Sequence, residues 1–155
     1  MQNLIATYSP IKILLAEDDL DDQFIFSDTI KQLSTSIELT IVNDGQGVLD
    51  VMRSNNNFIP HIIFLDVNMP KMNGIECLIQ IRRNKILKNT PCIILTTSTA
   101  PKDIEETYNH GANLYFEKPI GYTDFVKMFN KLFEVNWADY FPPKRESFFI
   151  AKTYQ

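Results

Sequence analysis

Five short apolar runs recur along the chain, and each is followed by a segment whose apolar residues repeat at helical spacing. The runs are IKILLA (11–16), IELTIV (37–42), HIIFLD (61–66), PCIILT (91–96) and NLYFE (113–117). After the first, Phe26, Ile30 and Leu33 recur at spacings of four and three. Val48, Leu49 and Met52 mark a short helix after the second, and Ile75, Leu78 and Ile79 begin another after the third. PKDIEETYNHG (101–111) opens with Pro and closes with Gly, a helix frame. Phe125, Met128, Phe129 and Leu132 form an i, i+3, i+4, i+7 stripe. This alternation predicts a parallel sheet with helices on both faces. The third run is apolar throughout, as a strand covered on both sides must be.

In such sheets, sites form outside the carboxyl ends of the strands. Those ends carry Glu17-Asp18-Asp19, Asp66, Thr96-Thr97-Ser98 and Lys118-Pro119. Five of the six residues 17–22 are acids. Two unit charges 4 Å apart repel by about 4 kcal/mol at an effective dielectric near 20, so the cluster needs a reason. A hard divalent cation such as Mg²⁺, which takes oxygen ligands, supplies one. It would also neutralise a phosphoryl group arriving at Asp66. Lys118 would add a second positive charge, and the Thr96 hydroxyl a hydrogen bond. Together these groups describe phosphoryl transfer, with Asp66 as nucleophile forming an aspartyl phosphate. Asp19 reads instead as a helix N-cap, with Asp21 and Asp22 as solvated first-turn acids favoured by the helix dipole.

ILLAEDD, IIFLDVNMPKMNG, IILTTS and LYFEKP, in that order and at these separations, resemble the motifs of response-regulator receiver domains of two-component signalling. The resemblance covers about residues 10–133, leaving 1–9 as an N-terminal extension and 134–155 as an aromatic tail without an output domain. It implies a flavodoxin-like doubly wound α/β fold, a five-stranded parallel sheet of order 2-1-3-4-5 with five helices. It also implies that Asp66 accepts a phosphoryl group from a sensor histidine kinase or a histidine phosphotransfer protein. Asp18, Asp66 and the backbone carbonyl of Asn68 would ligate Mg²⁺, or Mn²⁺ in its place, with Glu17 acting through water. Thr96 and Tyr115 match the switch pair, Lys118 the lysine, and Asn68 and Ser98 the positions that tune hydrolysis. The Lys118-Pro119 bond is expected to be cis.

A net charge of −4 gives no argument for nucleic acid or an anionic membrane surface. No apolar run approaches the roughly 20 residues of a spanning helix. Cys77 and Cys92 lack metal or redox spacing, so a reduced, cytoplasmic chain is expected. Asp-nucleophile phosphatases generally place a second acid two residues after the nucleophile; here Asn68 stands there. A flavodoxin-type cofactor site needs a phosphate loop after strand one, where this chain has acids. The remaining rival is a degenerate receiver that only binds protein, and the Asp18, Asp66, Thr96 and Lys118 set argues against it. The tail holds Trp137, Tyr140, Phe141, Phe148, Phe149, Ile150 and Tyr154, too apolar for a disordered end. SFFIA (147–151) is expected to run extended at the edge of strand five, on its own domain or on a second copy in a homodimer.

Overall fold

A computed structural model describes residues 4–54 and 58–152. The five apolar runs form strands within a residue of the expected bounds: β1 Ile11–Ala16, β2 Ile37–Val42, β3 Ile62–Leu65, β4 Cys92–Thr96 and β5 Leu114–Glu117. The intervening helices are α2 Leu20–Gln32, α3 Gly45–Ser54, α4 Gly74–Arg83, α5 Pro101–Asn109 and α6 Tyr122–Glu134. A short α1 (Leu4–Thr7) precedes them. All strand pairs are parallel.

The sheet order is β2-β1-β3-β4-β5-β6, so the expected five strands become six. The sixth, β6 (Phe149–Ile150), comes from the tail, with Phe149 opposite Tyr115 and Ile150 opposite Phe116. Only part of SFFIA is extended, because Arg145–Phe148 coil into one helical turn, α7. Between α6 and α7 lies a 3-10 turn, Trp137–Tyr140. Tyr154 lies outside the described residues.

Alternation along the strands sorts the core into two layers. Ile13, Leu15, Ile62, Phe64, Ile93, Leu114 and Phe116 face α2 and α6, meeting Phe26, Ile30 and the whole stripe from Phe125 to Leu132. Trp137 is fully buried on this side. Leu14, Ile63, Leu65, Ile94 and Tyr115 face the other way, towards Val48, Leu78, Ile81 and the tail residue Phe148. Both cysteines sit in this second layer, Cys77 on α4 and Cys92 on β4, each fully buried. The tail therefore leaves α6 on one face, rounds the sheet edge, and ends against the other.

Lys118–Pro119 is not cis; among the described residues the cis bonds are Ser9–Pro10 and Phe141–Pro142. The Lys118 backbone N–H donates to the Thr96 carbonyl at 2.8 Å, extending the β4–β5 pairing past the strand end. From that trans backbone the side chain already reaches the acids.

Candidate functional site

The carboxyl ends of β1, β3, β4 and β5 bring Glu17, Asp66, Thr96 and Lys118 to one end of the sheet. Carboxylate oxygens of Glu17, Asp18 and Asp66 lie within 4.8 Å of one another, with Asp18 exposed and the other two buried. Lys118, itself buried, places Nζ 2.6 Å from Glu17 Oε2 and 2.9 Å from Asp66 Oδ2. Burial raises the Glu17 carboxyl to about 7 despite the opposing hydrogen bond from Lys118. Burial would lower Lys118, but hydrogen bonds to Asp22 and Glu17 and the Asp66 charge hold it above the ordinary lysine range. The ammonium thus stays charged and offsets the repulsion that the sequence poses.

The acid cluster divides along the chain. Asp19 caps α2, its Oδ1 accepting from the Asp22 backbone N–H at 3.0 Å. Asp22 is not simply a solvated first-turn acid: its Oδ2 accepts from Lys118 Nζ at 2.8 Å. That contact brings the first turn of α2 over the strand ends. Gln23, also unassigned from sequence, donates from Nε2 to the Glu17 carbonyl at 2.6 Å and to Asn43 Oδ1 at 2.9 Å. It ties the end of β1 to the end of β2.

Asn68 is exposed, and its backbone N–H approaches Asp66 Oδ1 at 3.3 Å. The loop beyond it returns to α4, whose first residue, Gly74, donates its N–H to the Val67 carbonyl at 2.9 Å. A Cβ on Gly74 would stand 2.1 Å from the Asp66 carbonyl oxygen, so only glycine allows this approach. Thr96 is buried, and its Oγ1 accepts a long 3.4 Å contact from the Ser98 backbone N–H. The Ser98 hydroxyl donates to Asp103 Oδ2 at 2.5 Å and accepts from the Ala100 N–H, fastening the β4–α5 loop to the start of α5. Tyr115 is fully buried, its hydroxyl donating to the Ser98 carbonyl at 2.9 Å. Burial pushes that phenol up to about 12.

The oxygen-only donor set of Glu17, Asp18 and Asp66 suits a hard divalent cation, and exposed Asp18 gives it an approach. His61 and His110 lie apart from this cluster. His61 Nδ1 accepts from the Lys12 N–H at 2.8 Å, its ring stacks on Tyr8 at 3.7 Å, and burial lowers its pKa.

The family described as "response regulator receiver domain" matches residues 13–130. Among curated proteins, the response regulator Rcp1 of Synechocystis sp. is 32% identical over 77% of this chain and 84% of its own. The probable methanogenesis regulatory protein FilR2 of Methanothrix harundinacea is 28% identical over 85% of this chain and 87% of its own. Among solved structures, the Mn²⁺-bound form of Rcp1 superposes with a TM-score of 0.71 at 32% identity, covering 79% of this chain and 91% of that one. The phosphorylated cyanobacterial phytochrome response regulator RcpA gives 0.73 at 28% identity, with the same coverage.

Proposed function

This chain belongs to the response regulator receiver family, and from that membership we propose that it is a phosphorylation switch with Asp66 as the acceptor. Receiver domains are signalling domains, and those matched here run to similar length, the alignments spanning most of each. The observation that carries the reading is the cluster at the strand ends. A buried Asp66 faces two further acids and a buried lysine, with Thr96 at the neighbouring strand end.

In the proposed reaction an Asp66 carboxylate oxygen attacks the phosphorus of a phosphohistidine on a sensor kinase or histidine phosphotransfer protein. The P–N bond breaks, and the departing imidazole takes a proton. Lys118 holds the acceptor carboxylate in place and offers charge to the transferred oxygens. Asp18, Asp66 and the Asn68 backbone carbonyl would hold Mg²⁺, with Glu17 assisting through water and Mn²⁺ able to substitute. Bound there, the ion supplies positive charge that neutralises the incoming phosphoryl oxygens. Thr96 donates its hydroxyl to the new phosphoryl group, which adds about −1.5 to −2 charge. The β4–α5 loop follows Thr96, and the switch settles on Tyr115, which that loop anchors through Ser98. Asn68 and Ser98, at the rim, set how fast water removes the group. The face of α5, β5 and α6 then carries the signal to a downstream protein in the cytoplasm.

The test is intact-mass measurement after incubation with a small phosphodonor and Mg²⁺. Wild type should gain one base-labile phosphoryl group, and Asp66→Asn none. Full labelling of the variant refutes the assignment.

A further inference from the structure

We propose that the C-terminal tail is an intramolecular effector of the phosphoryl site: its docking and modification of Asp66 favour one another, with Tyr115 as the shared element. The proposal rests on the reading of Thr96 and Tyr115 as the switch.

The tail is built onto the face where that switch ends. Phe148 is buried 5.2 Å from the Tyr108 ring and 6.1 Å from the Tyr115 ring, and Phe149 lies 5.7 Å from Tyr115. β6 pairs with Tyr115 and Phe116 themselves. Arg145 hydrogen-bonds Glu105 and lies 4.4 Å over the Tyr108 ring, and the Tyr108 hydroxyl donates to the Pro143 carbonyl at 3.3 Å. Tyr108 and Ile104 are the chief apolar residues by which α5 meets the core, and the tail clamps one of them. With so few apolar residues of its own, α5 gains further contacts from the tail.

Tyr115 is thereby enclosed. Its hydroxyl holds the Ser98 carbonyl, and the rings of Phe148 and Phe149 pack against it. An outward swing of the ring requires the tail to lift. From Phe148 a continuous path runs through Tyr115 to Ser98, whose N–H contacts Thr96 Oγ1 at the site. If a phosphoryl group on Asp66 engages Thr96 and favours the enclosed Tyr115, it favours the arrangement on which the docked tail packs. Two events that stabilise the same conformer must help each other, by reciprocal factors.

The docking contacts suit a reversible element. β6 has two residues, α7 one turn, and the Arg145–Glu105 pair is more than half exposed on both sides. Segments held by so few buried contacts open at low free-energy cost.

The experiment uses the full-length chain and beryllofluoride with Mg²⁺ as the phosphoryl mimic. Binding midpoints are compared by calorimetry for wild type, Phe148→Ala and Arg145→Ala, with hydrogen exchange followed over residues 145–150. Phe148→Ala should speed exchange of the tail and weaken beryllofluoride binding by about fivefold or more. Arg145→Ala, an exposed change that does not threaten the core, should shift both in the same direction by less. In wild type, beryllofluoride should slow tail exchange. Equal midpoints in a Phe148→Ala protein whose tail exchanges fast overturn the coupling alone. Unchanged tail exchange in that variant overturns it too, because Phe148 then does not anchor the tail. Failure of wild type to bind beryllofluoride overturns the switch reading, and the coupling with it.

Discussion

Adjacent acids of one type do different work because each is placed by a different piece of backbone. Glu17 ends β1 and turns inward to Lys118, Asp18 stands exposed at the mouth, and Asp19 spends its carboxylate on a helix N–H. Asp18→Asn should therefore weaken Mg²⁺ binding by about tenfold, since divalent affinity follows the charge count of the ligands. Asp19→Ala should leave that affinity near wild type and cost about 1 kcal/mol of stability, as a lost N-cap does. Mg²⁺ titration and urea unfolding of both variants check the division; equal losses of affinity would refute it. The cap at Asp19 was legible in the sequence, since the helix start follows directly on the strand end. Asp22 was misread because its partner is 96 residues away, and no local pattern announces so distant an ammonium.

At the scale of elements, the loop after Asp66 is defined by how closely α4 approaches it. Gly74 opens that helix against the Asp66 and Val67 backbone, where added atoms have no flexible neighbour to displace. Gly74→Ala should destabilise by about 1–3 kcal/mol or more, the range for forcing atoms into a packed site. It should also slow labelling of Asp66. Urea midpoints and labelling rates measure the two effects; an undisturbed protein would mean that the helix start gives way freely. Strand positions were readable to within a residue because apolar runs between turn-forming residues leave little choice of register. The α7 turn was not, because Ser147 and Phe148 belong to a run that reads as a strand. Arg145, which opens the turn, is held by its contacts with Glu105 and Tyr108, some 40 residues earlier.

For the whole molecule, alternation predicted the parallel sheet and the resemblance carried by the four motifs implied its strand order, whereas the sixth strand depended on a tail that could have left the domain. What keeps it is distribution: Trp137 buries itself in one layer and Phe148 in the other, so the tail grips both faces of the sheet. The same two-layer arrangement encloses Cys77 and Cys92 in a single layer, where burial raises both thiols, Cys92 to about 11. Neither sulfur can meet an electrophile as a thiolate while that layer is closed. A disulfide reagent offered to the native protein should consequently modify the two thiols in one kinetic phase, because the opening that reaches either parts the same helices from the sheet. Two well-separated phases would mean that α4 or β4 opens alone. In the one-phase case the chain carries its own clock, in which the colour released by the reagent counts how often the domain comes apart.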